Sequence, residues 1–367
     1  MRIRSSTTGD SSLFRDQVLR AQDDQRALRA EFAATGVQGP SSRDPLADAV
    51  AQGPLCYLSH LPPAEDGYGP DLAGFAVLVR AGGSDGVETE VLPLPRMTGS
   101  AVVAWRERWD AAAHAGDREE AQAVLKEIGT AVMEPVMPCA GWPGRLVLLP
   151  DGQLSRLPLH AASVRRRADG ERRSLVHEAV ISYAPTVGIL SECRARAASL
   201  SSVTSHGLPD RYIGVAFWDS AIEEGVQGEF KAAAQHFVDR QTFAEDAATP
   251  EAVEQALVRT MSEDPAPAVV HIASHARVNH EEPLSSHFRL NPARPGDEGL
   301  LRLSDLLRIG LGEIRLAVLS ACESGSPSAD NANEFMSLAS GFLRLGAAGV
   351  VMWGPESRVL FRVVMST

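Results

Sequence analysis

The chain of 367 residues contains only four cysteines, Cys56, Cys139, Cys193 and Cys322, and no two of them form a CxxC pair. Such sparse, scattered usage speaks against a disulfide framework. It fits a reducing cytosol, where a cysteine is a small buried hydrophobe or a single reactive thiol. Long apolar runs are also missing: none reaches the roughly 18 residues that a bilayer-spanning helix needs. The start, Met1-Arg-Ile-Arg-Ser-Ser-Thr-Thr8, carries basic residues with no apolar stretch behind them, unlike a secretory leader. Positive charge is in deficit, with 35 Lys and Arg against 47 Asp and Glu and a formal charge of -12. That balance argues against a general binder of nucleic acid or anionic membrane. Arg165-Arg166-Arg167 is a local basic patch that a charged turn explains, and no solenoid repeat period is visible.

What is present is an alternation of strand and helix. A polar N-terminal part, residues 1–54, reads as one helix from about Ser12 to Ala34 followed by a Gly/Pro/Ser/Asp-rich linker from Thr35 to Pro54. The compact domain is expected over residues 55–367. Gly74 to Ala81 and Val87 to Leu94 predict a hairpin around Gly82–Gly86. Helices follow at Gly99 to Ala115 and Arg118 to Val136, then a doubly covered strand at Arg145-Leu-Val-Leu-Leu-Pro150. Further strands are expected at Val180–Tyr183, Tyr212–Ala216, Ala268–Ile272, Ile314–Leu319 and Gly349–Met352. The helices between them fall at Thr186–Ala198, Gly225–Phe237, Pro250–Met261 and Glu334–Leu345. Thr249-Pro250-Glu251 has the form of an N-cap, a first-turn proline and an acid at the positive end of the helix dipole. The rhythm specifies an α/β domain with a mainly parallel central sheet flanked by helices and an N-terminal hairpin extension.

Open α/β sheets place their sites beyond the carboxyl ends of the strands. The run Val269-Val-His-Ile-Ala-Ser-His275 ends on a histidine, and Ile314 to Ser320 leads into Ala321-Cys322. A thiol and an imidazole at neighbouring strand ends form a nucleophile and base pair, since the imidazole can take the thiol proton. Backbone amides of Ala276 and Cys322 are the natural oxyanion donors. Taken singly, a cysteine after a strand is ordinarily a core residue and a histidine there an ordinary hydrogen-bonded group. The His-then-Cys order, at close to the ~50-residue interval of caspases, is what favours catalysis. His271, His275, His280 and Cys322 are metal-ligand types, but their spacing follows no zincin pattern, so no metal and no organic cofactor is expected.

Five stretches, in order, carry a family resemblance. They are Arg145 to Ala162 (RLVLLPDGQLSRLPLHAA), Ile181 to Leu190 (ISYAPTVGIL), Val270 to Ala276 with Pro283-Leu-Ser-Ser286, Leu319-Ser-Ala-Cys-Glu-Ser-Gly325, and Phe335 to Val351. Together they resemble the CHAT family, caspase-like domains related to separases, over roughly Leu55 to Trp353. The resemblance implies a caspase-like three-layer fold, Cys322 as nucleophile, His275 as catalytic histidine, and hydrolysis of peptide bonds in a protein or peptide substrate. It further implies a regulatory partner carrying a sensor or helical-repeat domain. His271 matches the first histidine of the family's His-x-x-x-His pattern and is expected to support the site from within its strand. Glu323, beside the nucleophile, either favours a basic side chain before the cleaved bond or is a structural hydrogen-bonding partner. Asp151 and Gly152 match a turn at the first strand end, without chemistry.

Two departures from the family pattern stand out. Ala276 replaces the glycine that normally follows the catalytic histidine, and its methyl is expected to matter only where the backbone needs a positive φ. After Trp353 the tail runs Gly-Pro-Glu-Ser-Arg-Val-Leu-Phe-Arg-Val-Val-Met-Ser-Thr367, without the family's paired aspartates, and reads as truncated or divergent. A caspase-like scaffold that binds proteins without cutting them is the other reading.

Overall fold

A computed structural model describes residues 3–4, 45–61, 71–82, 86–142, 144–166, 169–201, 211–218, 223–262, 267–279, 282–309, 314–320, 338–352 and 363–365. The helix expected at Ser12–Ala34 lies outside them. The strands are β1 (Ile3–Arg4), β2 (Leu55–Ser59), β3 (Ala73–Ala81), β4 (Val87–Thr98), β5 (Arg145–Pro150), β6 (Ser163–Arg165), β7 (Arg172–Ser174), β8 (Val180–Tyr183) and β9 (Arg211–Ala216). They continue with β10 (Asp239–Ala244), β11 (Ala268–Ala273), β12 (Ala276–Arg277), β13 (His287–Arg289), β14 (Leu300–Arg302), β15 (Ile314–Ser320), β16 (Val350–Met352) and β17 (Val363–Met365). The α-helices are α1 (Pro45–Val50), α2 (Gly99–Ala115), α3 (Arg118–Ile128), α4 (Glu134–Cys139), α5 (Val187–Ser201), α6 (Glu223–Ala234), α7 (Pro250–Ser262), α8 (Leu303–Ile309) and α9 (Leu338–Leu345).

Among the described residues, twelve strands form one sheet in the order β1-β4-β3-β2-β5-β8-β17-β16-β15-β11-β9-β10. Its pairings are parallel except β2 with β3, β3 with β4, and β16 with β17. This is the mainly parallel sheet of the expected caspase-like class, with β3 and β4 as the hairpin extension. Alternating side chains sort the layers, as a period of two requires. On β2 and β5, Leu55, Val147 and Leu149 pack with Ala49 and Val50 of α1 and Leu190 of α5. Cys56, Leu58, Leu146 and Leu148 face the opposite side, where α2 and α3 contribute Val102, Trp105, Val124 and Ile128. In the other half, Ile213, Val270 and Ile272 pack with Val253 and Leu257 of α7. On the reverse face Ala216 and Ala273 meet Val226 and Phe230 of α6.

Local signals fix several boundaries. Thr98 caps α2 by accepting from the Ala101 amide, and Gly116 ends it in the left-handed region at φ 68°. Asp117 then caps α3 through the amides of Glu119 and Glu120. At α7 the Thr249 hydroxyl accepts from Ala252 N, as the Thr-Pro-Glu order implies. The helix expected over Arg118–Val136 is α3 continued by a π turn over Gly129–Met133 and then α4. Gly129 is where that turn presses on the neighbouring strand, since a Cβ there would lie 1.9 Å from the Ser163 carbonyl oxygen.

Several features differ from expectation. The stretch Thr35–Pro54, expected as a linker, contains α1, whose Ala49 and Val50 are buried against the sheet. Its Leu-Ala-Asp-Ala-Val pattern outweighs the surrounding turn-forming composition, so part of the expected linker belongs to the core. The small antiparallel sheet β12-β13-β14 and the edge strand β10 were not anticipated, because their strands are short or largely exposed and carry little alternation. In the tail, β17 pairs antiparallel with β16 and parallel with β8, so this segment joins the two halves of the sheet.

Candidate active site

The strand order reverses at β9. β10 lies on one side of it and β11 on the other, followed outward by β15 and β16. A crevice at the carboxyl ends of β9 and β11 is the expected binding place in such a sheet, and β11 and β15 end there together. Ala273, the last residue of β11, is registered with Ser320, the last residue of β15. His275 follows Ala273 by two residues, and in the sequence Cys322 follows Ser320 by two. Ala321, Cys322 and Glu323 lie outside the described residues, as does His280.

His275 is half-buried. Its carbonyl accepts from Arg289 N at 2.8 Å and from the Ser274 hydroxyl at 3.1 Å, which anchors the chain as it leaves β11. The Arg289 bond also fixes the phase of the small sheet. Because 275 and 289 form a hydrogen-bonded position, the next pair, Ala276 with Phe288, is a non-hydrogen-bonded one. The Ala276 amide is therefore directed away from β13. Among the described residues, only Trp142 and Glu245 are non-glycines at positive φ. Ala276 thus has a negative φ, and its methyl imposes no left-handed strain.

Beneath the strand ends lies a polar cluster. His271, 1% exposed, stands in β11 on the face covered by α6. Its Nδ1 is 2.8 Å from the Tyr212 hydroxyl. Its Nε2 is 3.3 Å from the Ser320 Oγ and 3.2 Å from Glu229 Oε1 of α6. The Ser320 hydroxyl donates to the same Glu229 oxygen at 2.5 Å. Burial, and then the Glu229 charge, hold the Tyr212 phenol above its ordinary value, so it stays a proton donor. Sequence reasoning singled out His271 but gave Tyr212, Ser320 and Glu229 no part in such a cluster. Tyr212 and Ser320 share a sheet face with His271 through the register of the three strands, which no single strand's pattern reports; Glu229, on a helix between loops, had no signal either.

The other thiols are ill-suited to nucleophilic work. Cys56 and Cys193 are buried, and desolvation pushes the Cys193 thiol up to about 12 and that of Cys56 still further from the ordinary range. Cys139 is partly buried and likewise raised, first by desolvation and then by Glu90. Among the described residues no cluster of His, Cys, Asp or Glu is arranged to hold a metal ion, and no helix is long and apolar enough to cross a membrane.

At the opposite end of the family motifs, His160 and Tyr183 are buried partners. The Tyr183 oxygen accepts from His160 N at 2.9 Å and faces His160 Nδ1 at 2.9 Å. Burial pushes the His160 imidazole down to about 4, so it is neutral and Nδ1 accepts the phenolic proton. The turn at Asp151 and Gly152 closes β5: Asp151 N donates to Leu58 O, and Gly152 takes a φ of 55°.

The CHAT domain family matches residues 122–353. That span covers both buried histidine pairs, all of β5 through β16, and the chain positions of His275 and Cys322. The chain belongs to the CHAT family, a family of caspase-like cysteine peptidases. No curated protein matches the chain.

Proposed function

We propose that the chain is a cysteine endopeptidase that uses Cys322 as nucleophile and His275 as base. The observation carrying this reading is the pairing of Ala273 with Ser320, the last residues of two adjacent parallel strands, which His275 and Cys322 each follow by two positions in the sequence. His275 takes the Cys322 proton, and the thiolate attacks the carbonyl carbon of the scissile peptide. The resulting oxyanion is received by the amides of Ala276 and Cys322. The imidazolium gives its proton to the departing amine, leaving a thioester. Water, deprotonated by His275, then adds to the thioester and releases the acid product, restoring the thiol. The direction of the Ala276 amide, away from β13, supports its part in this scheme.

Cleavage of a broad peptide library, with and without candidate regulatory partners, tests the reading. Cleavage should disappear in Cys322→Ala and fall by several orders of magnitude in His275→Ala. A preference for basic residues before the cleaved bond would add Glu323 to the site. Because Cys56, Cys139 and Cys193 are held as thiols, an electrophilic probe at neutral pH should label Cys322 fastest. Failure to cleave under any condition, with Cys322 labelled no faster than Cys56 or Cys193, would leave a protein-binding scaffold.

A further inference from the structure

The polar cluster under α6 has a feature that simple packing does not require. One carboxylate oxygen, Glu229 Oε1, receives the Ser320 hydroxyl at 2.5 Å and lies 3.2 Å from His271 Nε2. It therefore ties together the ends of β15 and β11, the strands that precede Cys322 and His275. Beside it, Val226 and Phe230 of α6 pack against Ala216 of β9 and Ala273 of β11. Burying a histidine and a phenol there, beside a half-buried hydroxyl, is costly unless every donor finds an acceptor, and here each does. Tyr212 O–H donates to His271 Nδ1, His271 Nε2–H faces Glu229, and Ser320 O–H donates to Glu229. Two of these three donors meet at one carboxylate.

The cluster is not a second hydrolytic triad. A serine nucleophile needs its proton accepted by the imidazole, with the carboxylate on the far ring nitrogen. Here the Ser320 proton goes to Glu229, and the far nitrogen faces Tyr212.

We propose that Glu229 and His271 are positioning residues. Through Ser320 they fix how far β15 extends relative to β11, and so set the heights from which the chain runs on to Cys322 and to His275. This rests on the reading of His275 and Cys322 as a dyad. Displacements of about 1 Å at a reacting pair cost on the order of a hundredfold in rate, so a carboxylate that sets strand height has leverage without touching substrate.

The test is the rate of Cys322 alkylation by iodoacetamide across pH 5 to 9, followed by mass spectrometry on the full chain. Wild type is compared with Glu229→Gln, Ser320→Ala, Tyr212→Phe and His275→Ala. The expected result is that Glu229→Gln and Ser320→Ala slow alkylation at pH 7 by about tenfold or more and move the midpoint of the profile upward. Tyr212→Phe, which still leaves His271 facing Glu229, should have a smaller effect. In peptide cleavage the same variants should lower kcat while leaving KM near wild type. If Glu229→Gln does not fold, as judged by its thermal transition, Ser320→Ala carries the comparison. Wild-type rate and profile in a folded Glu229→Gln or Ser320→Ala overturn the proposal. A wild-type profile that His275→Ala leaves unchanged instead overturns the dyad, and the positioning role with it.

Discussion

Gly214 and His271 stand opposite one another across the β9–β11 ladder, and the absent side chain at 214 is what lets the Tyr212 ring lie against the imidazole. A Cβ at 214 would lie 2.5 Å from Tyr212 Cε1 and 2.7 Å from Phe230 Cε2. Both rings are pinned: Tyr212 stacks on Phe237 with centroids 4.9 Å apart, and Phe230 lies 6.3 Å from His271. Neither can yield without disturbing the other. Gly214→Val should therefore destabilise the fold by about 1–3 kcal/mol through overpacking, measured by urea unfolding. It should also slow Cys322 alkylation by displacing Tyr212 and His271. Unchanged stability and reactivity together would show that the rings are not confined as described.

Much of the sheet around this site was legible in the sequence, and the rest was not for physical reasons. His275 follows a largely apolar strand, broken by His271, and such runs mark doubly covered strands whose ends carry chemistry. Helix caps at Thr98, Asp117 and Thr249 are local signals, and the elements they start were readable. Glu229 was not readable because its partners are Ser320 and His271, 91 and 42 positions away in the chain, and no periodicity reports a contact of that kind. The short strands β12, β13 and β14 were missed for the same reason: they are defined by each other, not by their own side-chain patterns. Helix α1 was hidden by turn-forming neighbours, although its Ala49 and Val50 are buried in the core.

His160 predicts a specific acid lability. Its imidazole is depressed to about 4 in the folded protein by burial, against about 6.5 in an unfolded chain. Between those values the unfolded state binds a proton that the folded state refuses. Stability therefore falls as pH is lowered from 6.5 toward 4, by up to about 3 kcal/mol, and this contribution flattens below 4. His160→Asn keeps an acceptor for the Tyr183 hydroxyl but cannot titrate. Urea unfolding at pH 7, 5.5 and 4.5 should find wild type losing more stability on acidification than His160→Asn. Parallel losses in the two proteins would mean that the imidazole is not buried as a neutral group.

Ala276 offers the sharpest separation of backbone geometry from side-chain identity. Its φ is negative and its amide points away from β13, so a glycine there gains no conformation that alanine lacks. Ala276→Gly should leave peptide cleavage within about threefold of wild type while lowering stability by roughly 0.5–1 kcal/mol, the usual cost of glycine in a strand. Ala276→Pro removes the amide itself. Because that amide makes no ladder bond to Phe288, the proline should not unpair β12 from β13, and unfolding midpoints should stay near wild type. Cleavage should nonetheless fall by about 10²–10³ in kcat, the loss expected for one oxyanion donor. A gain in activity for Ala276→Gly would show that the alanine methyl does restrict the site. Retained activity in a folded Ala276→Pro would remove this amide from the mechanism and leave the oxyanion to other donors.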